Sequence, residues 1–391
     1  MTQSLLVYGF MIITTYFGSR VTLVKQSHSS NPLRIISLKL LIPIIIFTFF
    51  SGVRYNVGVD HLNYLKEYEY LMLLGKNYDD DFELGFYWIS SFFAENQFHF
   101  AIYFSFLAML QVIFIYLSFK KEKYVLPYIG VLLILSLQYF FFMNGIRQGI
   151  AFSLFLYSIN YLVNRKFIWY TFIILAASLI HISALILLPL YLIDPQSKRS
   201  FFNAKLQLLV IALSILVGTS NLLNDLLLNI DMVISLGFDS LDNLISNTLS
   251  RTQFDIEENL IKWGPSRVLE LLLNVILVLY SAKFLSWGSN KVYIIYILYF
   301  CSIILEYMFF KLHGIMRVVL YFSLFRFVIF SYFLYYLIKV NKTKRNLIVA
   351  LIIILLFIVI FLIRIYVASE NSSILYNFFW DFNQSILRFH N

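Results

Sequence analysis

"FIWYTFIILAASLIHISALILLPLYLI" occupies residues 167–193, and its placement in a membrane decides the topology of the rest of the chain. As one helix it would run roughly 40 Å, long for one crossing of a roughly 30 Å hydrocarbon core and short for two. Positive charge breaks the tie. If the segment crosses once, "KKEK" at 120–123 and "KVNKTKR" at 339–345 fall on opposite sides. If it turns back at His181, six basic patches share one side: 19–39, 120–123, 164–166, 194–205, 283–291 and 339–345. Those patches hold 18 of the 30 Lys and Arg with only two acids, Glu122 and Asp194, which leaves 12 basic and 19 acidic residues elsewhere. Lys/Arg bias orients membrane proteins in this way. The spacing therefore predicts two short helices, 167–180 and 182–193, meeting near His181. Such a break is tolerated where it is buried in protein or lines a wet cavity. Each leg reaches only about 20 Å, so the pair is re-entrant or the bilayer thins around it.

The composition sets the class. Of 391 residues, 60% are hydrophobic and 13% charged, against about 25% charged in a soluble domain. The expected fold is an all-α polytopic membrane protein, one integral membrane domain over 1–391. Other candidate crossings lie near 3–18, 36–53, 98–119, 124–143, 146–163, 206–222, 266–286, 292–310, 314–338 and 346–367, giving about twelve segments with both termini outside. The net charge of +9 is then a property of the inner loops rather than a sign of nucleic acid. The opening "MTQS" lacks the basic region of a signal peptide, and Cys301, inside an apolar run, has no cysteine to pair with. Two outer loops remain, 54–97 and the acidic 223–264, the latter followed by Pro265 at a helix start. Within the first, 84–94 is too short to span and reads as an interfacial helix. No internal repeat supports an inverted-repeat transporter.

Ionisable groups at membrane depth mark function by default. Arg54 closes the second crossing in "SGVRYNVGVDHLNY"; Arg147 lies in the outer turn "MNGIRQG"; His313 and Arg317 lie in "KLHGIMR"; Arg326 lies further down that helix. Glu306 and Arg317 flank their turn at similar depth and are expected to pair. Arg326, about 13.5 Å deeper, is expected beyond Glu306's reach. A guanidinium fork suits phosphate, and several at one face suit a lipid-linked phosphate or pyrophosphate. The plain alternative for each is a headgroup anchor or a structural ion pair. A neutral His181 in the break suits a base acting on a hydroxyl, against the plain reading of a packed histidine among the small neighbours of "AASLIHISA". Asp60 is the rival base, against a turn residue after Gly58. Asp79, Asp80 and Asp81 read as a solvated run; clustered carboxylates suit hard cations, but no separate D-x-D pair accompanies them.

In order, these stretches resemble the EpsG family of Wzy-type polysaccharide polymerases. R-x-x-x-G-x-D-x-x-x-Y is matched by Arg54, Gly58, Asp60 and Tyr64, and E-x-G by Glu83 and Gly85. R-Q-x-x-A is matched by Arg147, Gln148 and Ala151, followed by the basic turn Arg165–Lys166. H-x-S-A is matched by His181, Ser183 and Ala184, and R-x-x-x-Y-F by Arg317, Tyr321 and Phe322. His61 departs from the pattern, where an aromatic is expected. The resemblance implies a GT-C-like glycosyltransferase of the bacterial inner membrane with its active site facing the periplasm. It would polymerise O-antigen or a similar polysaccharide from undecaprenyl-pyrophosphate-linked oligosaccharides, without metal or other cofactor and with no nucleic-acid partner. Membrane lipid and a chain-length regulator protein are the implied partners. On this reading Arg147 and Arg317 hold the pyrophosphate with Arg54 in support, and His181, or else Asp60, is the base. Glu83, Gln148, Glu306, His313, Arg326 and Tyr321 support them, and Gly52 and Gly58 let the backbone turn beside the phosphate. The alternatives are an O-antigen ligase, which moves the chain to lipid A core, and a lipid-linked oligosaccharide flippase or transporter.

Overall fold

The computed structural model describes residues 1–21, 40–75, 83–195, 203–220, 264–309, 313–371 and 374–381, with the backbone alone for Val21, 313–317 and 368–371. The acidic loop 223–264 falls, but for Gly264, outside the described residues, as do Asp79, Asp80 and Asp81. The described residues are helical, and one isolated antiparallel bridge joins Arg54 to Phe378. Contacts divide the chain into two units, Met1–Ile193 with Phe357–Asn391, and Asp194–Leu356.

The first unit contains α1 (Thr2–Val21), α2 (Leu41–Gly52), α3 (His61–Leu74), α4 (Leu84–Glu95) and α5 (Phe100–Ser118). It continues with α6 (Leu126–Leu135), α7 (Gln138–Asn144), α8 (Ile146–Val163), α9 (Phe167–Ser178) and a 3₁₀ segment, Ile182–Leu192. The second contains α10 (Ala204–Thr219), α11 (Pro265–Trp287), α12 (Asn290–Met308), α13 (His313–Ser323) and α14 (Phe325–Tyr335). The last long helix, α15 (Lys344–Asn371), has residues in both. Among the described residues, five helical stretches are long and apolar enough to cross a membrane: Phe100–Ser118, Pro265–Trp287, Asn290–Met308, Val318–Val340 and Lys344–Val367. The bent pair α6–α7 makes a sixth if it counts as one span. The chain is a polytopic helical membrane protein.

The 167–193 segment folds back on itself. Tyr170 near the start of α9 donates to the Leu187 carbonyl at 2.5 Å, and the Phe167 ring meets that of Tyr191 at 5.0 Å. Arg165 donates to the carbonyls of Tyr191 and Ile193 at 2.8 and 3.1 Å, so the two ends of the hairpin lie together. The turn is at His181, whose extended backbone (φ −155°, ψ 108°) separates α9 from the 3₁₀ leg.

Two expectations are refined. The crossing expected at 124–143 is a bent pair: α6 and α7 meet at 67°. Leu137, at φ +68°, stops α6, a conformation a leucine adopts only when packing demands it. The packing is aromatic, with Tyr139 against Phe47 at 5.0 Å and Phe140 against Tyr8 at 5.0 Å. The loop 54–97 also contains a second helix, α3, which ends at Gly75 in the left-handed conformation. The interfacial helix expected at 84–94 is α4.

The chain's end completes the first unit. Tyr55 N–H donates to the Asn377 carbonyl at 2.9 Å, Phe379 N–H to Val53 at 3.0 Å, and the Tyr376 hydroxyl to Phe50 at 2.6 Å. The residues just past α2 thereby gain backbone partners they would otherwise lack.

Candidate active site

Where α2 ends, Arg54 turns inward. Its guanidinium donates to three carbonyls: Ser51 in the last turn of α2, Val57 at 3.3 Å, and Met143 near the end of α7 at 2.7 Å. Helix C-termini carry unsatisfied carbonyls and partial negative charge, so a buried cation is at home there. The Phe104 ring lies 5.4 Å from the guanidinium carbon. Burial pulls the Arg54 pKa down to about 10, with neighbouring tyrosines opposing the shift, and the group is still a cation at neutral pH. Only 2% of the residue is exposed, and each of its three guanidinium nitrogens donates to a carbonyl. It is thus turned away from any phosphate at the surface.

The clamp shapes the next turn. Gly58 sits at φ +95°, closed to residues with a side chain, and Asn144 packs against it. The Asn144 Oδ1 accepts the Asp60 N–H at 2.8 Å. Asp60 precedes α3, and its carboxylate makes no cap bond to that helix. One turn on, the Tyr64 phenol engages Arg147 and feels the Asp60 charge; burial pushes its pKa up. Gly52 serves a different purpose from the one expected of it. A Cβ there would fall within 2.6 Å of the Ala101 carbonyl, so it permits α2 to approach α5.

His61, the departure from the family pattern, is wholly buried, with its ring 5.0 Å from that of Phe104. Among the described residues neither ring nitrogen has a partner within hydrogen-bond geometry, the Arg54 backbone being the nearest polar neighbour to act on the ring. Burial, then the Arg54 charge, push its pKa well below the usual histidine range, so it is neutral.

The spacing of Glu83 and Gly85 has a structural reason. The N–H groups of Gly85 and Phe86 donate to the Leu179 carbonyl at 2.8 and 3.3 Å. A Cβ on Gly85 would stand 2.8 Å from that oxygen, so only glycine allows the approach. The first turn of α4 is thereby fixed to the end of α9, and Glu83 meets His181. Its Oε1 faces His181 Nδ1 at 2.8 Å and accepts the Ile182 N–H at 3.2 Å. Its Oε2 accepts from Arg147 Nη1 at 2.7 Å. Burial alone would raise the Glu83 pKa, but the His181 bond, the Arg147 charge and backbone donors hold it down at about 2.

An ionised Glu83 can only accept, so His181 carries its proton on Nδ1. Its Nε2 has no hydrogen-bond partner among the described residues. Arg147, in the first turn of α8, lies over the Phe86 ring at 5.8 Å. The side chains of Arg147 and His181 are about one quarter exposed. The structure therefore brings Asp60, Tyr64, Glu83, Arg147 and His181 together. It leaves Gln148 buried within α8.

The second unit contains a separate network. Arg326 pairs with Glu306 at 3.2 Å and with Glu270 at 3.3 Å, and its Nε donates to the Tyr299 hydroxyl at 3.2 Å. Tyr299 donates in turn to Asn274 at 2.7 Å. The expectation that Glu306 cannot reach Arg326 is thus overturned. Each Cα–Cβ bond tilts toward the N-terminus of its own helix. In the hairpin of α12 with α13 and α14, Glu306 leans one way and Arg326 the other, and they meet. Tyr321 is fully buried in α13. The side chains of His313 and Arg317 lie outside the described set, and with them the expected Glu306–Arg317 pair.

Sequence reasoning missed Asn144 and Glu270, and marked Tyr64 as a motif position without giving it a role. Tyr64 stands four residues after Asp60, one helical turn. Glu270 stands four before Asn274 on α11, a polar face on a membrane-grade helix that could have marked it.

No curated protein and no solved structure matches the chain. The family model that does match is that of the EpsG family, over residues 38–378. This range takes in the clamp, the Glu83 cluster and the Arg326 network, and on it the chain belongs to the EpsG family.

Proposed function

We propose that the chain polymerises polysaccharide, joining undecaprenyl-pyrophosphate-linked oligosaccharide repeat units at the periplasmic face of a bacterial inner membrane. The observation that carries this reading is the His181–Glu83–Arg147 cluster: a histidine oriented by a carboxylate, beside an arginine, both side chains about one quarter exposed. The acceptor hydroxyl oxygen attacks the anomeric carbon of the lipid-linked chain. As that bond forms, the bond from carbon to pyrophosphate breaks and its electron pair leaves with the phosphate oxygen. His181 Nε2 takes the hydroxyl proton, and Glu83 stabilises the imidazolium through Nδ1. Arg147, bonded to Glu83 and Tyr64 with a quarter of its side chain exposed, is the arginine assigned to the leaving pyrophosphate, and Arg317 is the second. Asp60, on the Tyr64 side of Arg147, is the alternative base. Arg54 supports the site from beneath as a clamp, without touching substrate. A chain-length regulator protein is the expected partner.

The fold-back of 167–193 supports the arrangement of about twelve segments in which the six basic patches share the cytoplasmic side. In that arrangement His181, Arg147 and Asp60 share the outer face, where a GT-C-like enzyme would meet lipid-linked sugar. The test is a host lacking its own copy, complemented with His181→Ala or Arg147→Ala at matched expression, with surface polysaccharide resolved on a gel. Single repeat units without a ladder are expected. A full ladder from both variants would overturn the assignment, and loss of the single unit as well would point to a ligase.

A further inference from the structure

The turn that enters α3 and the turn that enters α8 are tied to each other twice. Arg54 donates to the Met143 carbonyl at 2.7 Å, and Asn144 Oδ1 accepts the Asp60 N–H at 2.8 Å. The start of α3 is thereby held beside the start of α8. Tyr64 stands one turn into α3, with its N–H on the Asp60 carbonyl at 3.0 Å, and its side chain reaches Arg147. The phenol oxygen meets both the guanidinium and the backbone N–H of Arg147. That N–H lies in the first turn of α8, where no intrahelical acceptor exists and Gly145 supplies no side-chain cap. Arg147 is therefore gripped at two points, by the phenol and by Glu83 Oε2 at 2.7 Å. The buried Phe86 ring backs this arrangement, 6.2 Å from the Tyr64 ring and 5.8 Å from the guanidinium carbon.

We propose, resting on the polymerase reading, that Tyr64 is a positioning residue, whose phenol fixes the Arg147 guanidinium so that Glu83 keeps one oxygen for Arg147 and the other for His181. A planar guanidinium fork prefers to close on both oxygens of a carboxylate. Left with Glu83 alone, Arg147 would compete for Oε1 with His181 Nδ1 and the Ile182 N–H. A second acceptor holds it in the one-oxygen arrangement observed. A phenol suits that task better than a second carboxylate does. It is neutral near pH 7, so it orients the cation without cancelling its charge. Arg326 shows the contrast, being shared by the carboxylates of Glu270 and Glu306. Tyr64 touches no reacting atom in this assignment and acts through Arg147.

The experiment uses the purified full chain in nanodiscs with a lipid-linked repeat unit, polymer being measured against time. Wild type, Tyr64→Phe, Arg147→Lys and the double variant are compared, with rates normalised to the folded fraction from thermal unfolding. Tyr64→Phe keeps the ring beside Phe86 and deletes only the hydroxyl. Its rate should fall about 10- to 100-fold, the range for a hydrogen bond to a charged group. In the Arg147→Lys background the same change should cost less than about 2-fold, because a point charge has no fork to hold. The same factor in both backgrounds would make the hydroxyl merely structural and overturn the inference, and so would an unchanged rate in Tyr64→Phe. If Tyr64→Phe does not fold, Asn144→Ala carries the same test, since it loosens α3 from α8 while Tyr64 and Arg147 both remain. Retention of undecaprenyl pyrophosphate by the same nanodiscs separates this inference from the polymerase reading. Weaker retention in Tyr64→Phe, with no such effect beside Arg147→Lys, supports the positioning role even in a wild type that extends nothing, and only the polymerase reading then fails. A wild type and a Tyr64→Phe variant that extend equally refute the positioning role alone. A wild type that neither extends nor retains overturns both.

Discussion

Glu83→Gln tests the site most sharply, because it changes charge and hydrogen-bond direction while leaving shape almost intact. The carboxylate accepts from His181, the Ile182 N–H and Arg147, and all three bonds need an acceptor. An amide offers one oxygen, so its NH₂ must face either the guanidinium or the Nδ1–H, donor against donor. A carboxyl moved from 4.5 to about 2 favours its ionised form by about 3 kcal/mol, which measures what the ion contributes to this cluster. Removing it costs that order in stability and also frees His181 to adopt the other tautomer. General-base assistance contributes about 10²–10⁴-fold, so the polymerisation rate should fall by about 10²–10³. The assay is purified protein with a single lipid-linked repeat unit, polymer being measured against time. His181→Gln should cost a similar factor, and the double variant little more than either, because the two residues act as one unit. An unchanged rate in Glu83→Gln would refute the reasoning, and so would losses that multiply in the double variant. The pH dependence has a fixed sign. Glu83 has a depressed pKa, so its contribution is complete above 4.5 and is lost as pH falls toward about 2. Unfolding of the wild type should become more acid-sensitive in that window, and Glu83→Gln should lose this part of the slope.

Three further outcomes follow from buried groups. Arg54→Ala strands three buried carbonyl acceptors at about 1–3 kcal/mol each, and should remove the folded peak in size-exclusion chromatography. His61→Phe removes two buried unpartnered nitrogens and should raise the unfolding temperature, with a gain of about 1–3 kcal/mol. Because the His61 pKa lies below that of the unfolded chain, its stability contribution falls as pH drops below about 6.5, and the Phe variant should flatten that region. Arg326→Ala leaves Glu270 and Glu306 facing each other without their cation and should cost about 3–5 kcal/mol. Adding Glu270→Gln and Glu306→Gln should recover much of the loss in a thermal-unfolding assay.

The membrane class, the turn at His181 and the limits of α8 were legible because hydropathy and Lys/Arg bias act on long stretches of chain. The break at Leu137 was not, since neither glycine nor proline marks it and aromatic packing from distant helices imposes it. The role of Arg54 was not legible either. Its motif spacing describes a loop, and only the fold brings the Met143 carbonyl to its guanidinium. Glu306 and Arg326 were judged apart by counting rise along a helix, a measure that ignores the opposed tilt of side chains on antiparallel neighbours. The C-terminal residues 374–381 carry no motif, yet their backbone closes the edge at Val53 and Tyr55.

Three arginines of identical chemistry thus differ in what surrounds them, and that difference bears on catalysis. Arg54 is saturated by carbonyls, and Arg326 is shared by two carboxylates. Arg147 pairs with the Glu83 carboxylate, has a quarter of its side chain open, and has a histidine on the other oxygen of the same carboxylate. On the proposed mechanism the base enters the reaction as a neutral imidazole, so that it, the guanidinium and the carboxylate then sum to no net charge. When His181 takes the acceptor's proton the sum becomes plus one, at the same moment as negative charge builds on the departing pyrophosphate. A cluster working in that way would hold the transition state more tightly than the ground state, which is the condition for lowering a barrier rather than merely binding substrate. A permanent second cation in place of His181 would hold both states alike. His181→Lys is therefore expected to retain lipid-linked substrate at least as well as the wild type and to fail to extend it. Polymer from that variant at the wild-type rate would mean that static positive charge suffices and that proton transfer to residue 181 is not part of the reaction.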